Sequence, residues 1–181
     1  MVASAFLPAV IHKGRLYLLF GREAHDDGAP GFSDFGGGVE PGEDVFEAGL
    51  REFAEETTGF FGGPEDVREL VRKSGGALLH THKTYHIHVF RAQYDAALAR
   101  LFTRSARFIH ARVKNKAFLR KTCIFEKVEM VWMTVEEARA RREEFRPFYR
   151  EILDELLGAR LAEIERFARQ GGARRSRRRA A

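Results

Sequence analysis

One cysteine, five prolines and no long apolar run mark what this chain of 181 residues goes without. With Cys123 alone, the chain can form no internal disulfide and no cysteine-based zinc cage, which suits a reducing compartment. Charged residues make up 31% of the sequence and interrupt every hydrophobic stretch before the ~18–20 residues that a membrane span needs. Residues 1–13 are apolar but carry neither a basic leading segment nor a small-residue cleavage site, so no secretory signal is expected. No internal repeat is present. What remains is a hydrophobic fraction of 44%, enough for a buried core in a length suited to about one domain.

The net charge of +5 is unevenly spread. Residues 171–181 hold five arginines (Arg174, Arg175, Arg177, Arg178, Arg179) and no acid, and without them the two signs balance. Within the remainder, residues 34–56 hold eight acids and one arginine, whereas residues 100–127 hold nine lysines and arginines and one acid, Glu126. An acidic block and a basic block in one small domain suggest a metal centre beside an anion-binding surface.

Periodicity and turn residues predict the order of elements. Residues 5–20 read as a hairpin turning at Lys13-Gly14. Residues 25–31 read as loop, and Gly36-Gly37-Gly38 as a tight backbone feature. Phe46, Leu50 and Phe53 form one apolar stripe over a helix at 44–57, with Gly59 as its stop. A short helix is expected at 66–73, one or two strands at 77–94 and a helix at 95–113. Strands are expected in TCIF and EMVWM within 118–133. Thr134 with Glu137 makes a capping box. A long helix is expected over 143–169, closing a domain of residues 1–170, and 171–181 reads as a disordered arginine-rich tail.

The helix at 44–57 carries the chemistry. With Glu52 at zero, Glu55 falls near 300° and Glu56 near 40°, while Phe53, Leu50 and Phe46 fall between about 100° and 160°. Three carboxylates therefore share one face, and the small Ala48 leaves room above them. Like charges at this spacing cost a few tenths of a kcal/mol, and Gly49 in mid-helix costs about 1 kcal/mol more. A helix built for stability alone avoids both. Clustered carboxylate oxygens suit Mg²⁺ or Mn²⁺; close backbone approach to a sheet explains the glycine. A solvated acidic face is the bland alternative.

Gly37, Glu43, Arg51, Glu52, Phe53, Glu55 and Glu56 match, in order and spacing, the box of the Nudix hydrolase family, which the chain therefore resembles. The family's closing glycine falls at Thr58, and this chain's glycine comes one residue later, at Gly59. The resemblance implies an α+β Nudix fold, an α/β/α sandwich around a central mixed sheet. It also implies hydrolysis of a diphosphate linkage with a divalent metal, Mg²⁺ or Mn²⁺. Carried over position by position, the metal ligands are Glu52, Glu55, Glu56 and the Gly37 carbonyl. Glu43 supports the loop or a second metal through water, and Arg51 orients the glutamates. The general base is Glu55 or a later carboxylate, Glu126 or Glu129.

Substrate is less determined. Arg100, Arg104, Lys114 and Lys116 are candidate substrate contacts because cations interleave here with Phe102, Phe108 and Phe118, the composition of a single-stranded nucleic-acid surface. Phe32 and Phe35 are expected to line a nucleotide pocket. The basic segment 95–127 and the tail resemble the RNA-decapping branch of the family, including versions carried by large DNA viruses. That makes the 5′ cap of mRNA the leading substrate, cleaved to release m7GDP. The alternatives are a small substrate (a diphosphoinositol polyphosphate, ADP-ribose, a dinucleoside polyphosphate or an oxidised nucleotide) and a non-catalytic RNA- or nucleotide-binding module. An intracellular site is expected, cytoplasmic, or nuclear if RRSRRR acts as a localisation signal. His80, His82, His86 and His88 admit a zinc site, with ordinary packing as the alternative. Cys123 reads as a small buried hydrophobe, and Tyr85 and Trp132 as base-stacking or core aromatics.

Overall fold

The computed structural model describes residues 1–23, 30–122 and 124–178; the side chains of 116, 120 and 171–178 lie outside the description, as do Cys123 and most of the loop expected at 25–31. β1 (Ala3–His12) and β2 (Arg15–Glu23) form the expected hairpin. Lys13 and Gly14 take φ of 48° and 81°, the left-handed pair that a two-residue turn between twisted strands requires. β3 (Phe32–Ser33) pairs with β2, and β4 (Phe35–Gly38) with β1. β5 (Ala77–His82) and β6 (Tyr85–Arg91) make a second hairpin, which joins the sheet through a parallel β1–β6 pairing. β7 (Lys127–Thr134) runs antiparallel along the outer side of β2. The sheet is therefore mixed.

Strand alternation divides the interior into two layers. Phe6 of β1 and Leu19 of β2 pack with Leu50 and Phe53 of α1 (Val45–Glu56), Val67 of α2 (Pro64–Ser74) and Phe102 of α3 (Ala96–Arg112). Their neighbours Leu7 and Leu18 point the other way, toward Tyr149 and Ile152 of α6 (Tyr149–Leu157) and Ile164 of α7 (Leu161–Arg178). Each such large side chain, fully buried, contributes ~1.5–3 kcal/mol. The result is the α/β/α sandwich expected. β7 is an edge strand, and α3 blunts the edge: the Met130 N–H donates to Thr103 Oγ1 at 3.0 Å.

Three expectations differ from the structure. The basic segment contains a helix, α4 (Lys116–Thr122); of the strand expected through TCIF, Cys123 lies outside the description and residues 124–125 form a turn, so among the described residues no strand from this segment pairs with β7. Lysines and arginines on both sides of Phe118 and Leu119 give the segment helical spacing, and no apolar alternation opposes it. The helix expected over 143–169 is broken: Pro147 precedes α6, and Gly158 ends it at φ −110°, ψ −99°. α5 (Val135–Ala140) precedes this break and begins at the Thr134–Glu137 capping box. Finally, α7 runs on through Gly171-Gly172 to Arg178, beyond the point where composition alone starts a tail.

Two buried titratable groups give stability opposite pH slopes. His88 stacks against Phe6 (centroids 4.9 Å apart) and meets Phe46 edge-on (5.1 Å); burial lowers its pKa to about 4, with His86 adding to the effect and Asp44 opposing it. Its contribution is full above its ordinary 6.5 and is lost as pH falls toward 4. Asp34 is fully buried, and burial raises its pKa to about 6 against a 2.6 Å hydrogen bond from the Tyr85 hydroxyl. Here the unfolded chain releases the proton first, so stability falls as pH rises from about 4 to about 6. Each effect amounts to about 3 kcal/mol. Urea midpoints measured between pH 4 and 6 should therefore rise more steeply with pH in Asp34→Asn than in wild type, and less steeply in His88→Gln. Superimposable profiles would refute both assignments.

Candidate active site

α1 starts where Asp44 accepts the Phe46 N–H at 2.8 Å, and it lies across β4 and β1. Three glycines permit that contact. A Cβ on Gly36 would fall 2.3 Å from the Ala5 Cβ. One on Gly37 would fall 2.4 Å from Glu52 Oε2, and one on Gly49 would fall 2.6 Å from Ser4 Oγ and 2.9 Å from the Phe6 ring. The mid-helix glycine is thus explained by close approach to the sheet.

Arg51 organises the acids. Its Nε and Nη2 donate to the two oxygens of Glu43 at 3.0 Å each, and Nη2 also reaches the Gly38 carbonyl at 3.1 Å. Nη1 donates to Glu52 at 2.8 Å and to Glu55 at 3.3 Å. Hydrogen bonds to Arg51 hold the Glu43 carboxyl below its usual range. Burial raises the Glu52 pKa; Arg51 opposes this, while Glu55 and Glu126 add to it. The charge of Glu126 therefore reaches Glu52. Glu129 lies elsewhere: it sits opposite Arg22 in the β2–β7 ladder, 3.1 Å from its Nε, on the sheet face that carries Val131 and Met133 toward α6.

Glu56 also departs from the arrangement expected. Its Oε2 accepts the Gly36 N–H at 2.7 Å, and its Oε1 lies 3.2 Å from Lys127 Nζ. Both residues are buried. Burial raises the Glu56 pKa, with Lys127 as the leading opposing influence. On Lys127, the downward pull of burial is overcome by Glu56 and Glu23, so the ammonium stays charged. Lys127 also donates to Glu23 and, at 2.9 Å, to Ser33 Oγ, and Arg146 pairs with Glu23 at 2.8 Å. No sequence pattern marks Lys127. It reaches this position through a bulge, where register shifts between Arg22 and Glu23 opposite Lys127. Next to the bulge, Phe125 and Thr58 hold φ of 54° and 50°, and the Phe125 N–H donates to Thr58 Oγ1 at 3.3 Å. Thr58 thus adopts the left-handed conformation at the position of the family's glycine.

The donor set suits a divalent cation at Glu52 and Glu55, two hard carboxylates sharing one guanidinium. It does not suit one at Glu56, whose two oxygens are engaged. Among the described residues, no three acids, histidines or cysteines come together as a ready cage. The histidines divide: His80 and His82 lean on Glu155 of α6, His86 meets Thr81, and His88 is core.

The remaining site expectations separate as well. Phe32 and Phe35 are wholly buried, Phe32 beneath the guanidinium of Arg22 (4.1 Å) and Phe35 against Phe53, so neither ring is exposed. Flanking large aromatics on short strands belong to the core, and a nearby glycine turn does not alter that. Tyr85 and Trp132 are held inside by bonds to Asp34 and to the Asp95 carbonyl. Phe102 is core, while Phe108 and Phe118 are exposed. Arg100, Arg104 and Arg107 line a cleft of about 370 Å³ beside Tyr94, Thr103 and Trp132. Glu129 lines the same cleft, but none of these three arginines forms an ion pair among the described residues, whereas Arg22, Arg51, Arg68, Arg72, Arg141 and Arg142 all do. Lys114 is exposed near the end of α3; the Lys116 side chain lies outside the description.

The family model described as NUDIX domain matches residues 4–156. A C. elegans Ap4A hydrolase binary complex superposes with a TM-score of 0.51 at 16% identity, covering 90% of this chain and 98% of that one. A MutT protein from Methanosarcina mazei Go1 gives 0.43 at 18% identity, covering 94% of each chain. No curated protein sequence matches the chain.

Two substitutions probe this packing. Gly49→Ala gains helix propensity of about 1 kcal/mol, yet overpacking against Ser4 and Phe6 costs about 1–3 kcal/mol. We expect net destabilisation by chemical denaturation; a stabilised variant would show that α1 stands off the sheet. Lys127→Met leaves Glu56 and Glu23 without their shared cation and should cost about 3–5 kcal/mol. A loss below about 1 kcal/mol, the scale of an exposed ion pair, would contradict the buried cluster.

Proposed function

The chain belongs to the NUDIX domain family of pyrophosphohydrolases, and we propose that it hydrolyses the diphosphate linkage of a small nucleoside diphosphate derivative. The observation that carries this reading is the Arg51 hub, where one guanidinium holds Glu43, Glu52 and Glu55 beside the Gly38 carbonyl. Glu52 and Glu55 would hold Mg²⁺ or Mn²⁺. When bound, such an ion neutralises phosphate charge and lowers the pKa of water. Arg51 orients the two carboxylates by charge-assisted hydrogen bonds. Coupling of Glu126 to Glu52 supports Glu126, rather than Glu129, as the later carboxylate that accepts a proton. Burial of the Gly36–Gly37 face under α1 fixes these groups before substrate arrives, so little reorganisation is left for the reaction.

Capped RNA is the second reading, favoured by one observation. Arg100, Arg104 and Arg107 form no ion pair among the described residues and line an open cleft, with Phe108 exposed on the same helix. Cations beside exposed rings suit a single strand. A substrate panel separates the two: a dinucleoside polyphosphate, ADP-ribose, an inositol pyrophosphate and cap-labelled RNA, each with Mg²⁺ or Mn²⁺ and product identification. The first reading expects turnover of a small nucleotide at least equal to that of RNA. Preference for RNA, lost in the triple alanine variant of the three arginines, would replace it with the second. Glu52→Gln and Glu55→Gln should each lower turnover by about a hundredfold or more. Undiminished turnover in both would remove the site, and binding without turnover of any substrate would leave a binding module.

A further inference from the structure

The box acids fall into two electrostatically distinct groups. Around Arg51, three carboxylates, Glu43, Glu52 and Glu55, share one cation, leaving an excess of two negative charges that matches one divalent ion. Around Lys127, Glu56 and Glu23 face the cations Lys127 and Arg146, so Glu56 already has a buried counter-charge. We propose that Glu56, although it occupies the last carboxylate position of the box, holds no metal ion and is instead a positioning residue tied to Lys127, leaving one divalent ion to Glu52 and Glu55. The assignment rests on the metal-dependent reaction proposed above.

Geometry supports it at both ends of the pair. Glu56 is 5% exposed, and its two oxygens are taken by different partners, the Gly36 N–H and the Lys127 ammonium. Lys127 is 1% exposed and walled in along its stem: a Cβ on Gly21 would fall 2.9 Å from Lys127 Cδ. Among the described residues the ammonium is enclosed together with Glu56 rather than open to solvent. A divalent ion at Glu56 would also be set against two fixed cations, Lys127 and, beyond Glu23, Arg146. Glu55, by contrast, is half exposed, and its tie to Arg51 is a long 3.3 Å, so its oxygens can turn toward an ion. Glu56 acts through what it joins. It pins the end of α1 to the β4 glycines on one side and to the start of β7 on the other, which sets Glu52 against Gly37 and brings Glu126 within electrostatic reach.

The test reads metal binding directly, by Mn²⁺ titration of the full chain followed by electron paramagnetic resonance. Wild type should bind one Mn²⁺. Glu52→Gln and Glu55→Gln should each weaken it about tenfold or more, while Glu56→Gln stays within about twofold and instead lowers the melting temperature. Weakening by Glu56→Gln equal to that by Glu55→Gln would overturn the proposal. Should Glu56→Gln fail to fold, Mn²⁺-soaked wild-type crystals decide at the manganese edge. An anomalous peak bonded to Glu52 and Glu55, with Lys127 still on Glu56, is expected; a peak bonded to Glu56 would overturn it. Absence of Mn²⁺ binding by wild type would remove this assignment and the metal-dependent reaction together. Mn²⁺ bound without turnover of any substrate would remove the reaction alone.

Discussion

Repulsion among carboxylates on one helical turn is the constraint around which this molecule is arranged. Glu52, Glu55 and Glu56 crowd the end of α1, and each lies within a turn of the others. Two different cations relieve the crowding. Arg51, from the same helix, gathers Glu52 and the half-exposed Glu55 on its outer side, and Lys127, from a strand far along the chain, draws Glu56 inward. The first group retains excess negative charge and an open side. The second already holds its cations and is enclosed.

The fold serves this division. Without Gly36, Gly37 and Gly49, α1 would ride higher on β1 and β4, and the Gly36 N–H would lose its hold on Glu56. Without the bulge in the β2–β7 pairing, the strand's alternation would turn Lys127 toward α6 instead of toward α1. The positive φ of Thr58 and Phe125, joined by a hydrogen bond, sits at this junction. Strain of that kind, of order 1–3 kcal/mol per residue, persists only where surrounding contacts over-determine it. Here those contacts are the buried pairs of Lys127 and the aromatic cluster of Phe60, Phe102 and Phe125.

Elements with strong local signals were legible. The first hairpin, α1 with its apolar stripe, and the Thr134–Glu137 capping box follow from turn residues, stripe spacing and side-chain oxygens, all of which act within a few residues. The basic segment was harder to read. A sequence with cations scattered among its apolar residues has weak periodicity of either kind, so local spacing does not decide between strand and helix. Phe32 and Phe35 illustrate a second limit: proximity to a functional turn in sequence says nothing about which way a ring points.

What the sequence determined by itself is the acidic helix, its glycines and its arginine, because helical geometry places residues three and four apart on a common face whatever surrounds them. Which oxygens of that face remain available was decided only by the tertiary structure. Lys127 lies 71 positions beyond Glu56, and only the closing of the sheet and one irregular pairing bring its ammonium beneath the helix. A charge balance formed at that separation leaves no trace in local spacing, because it depends on strand register and on the depth to which the chain excludes water.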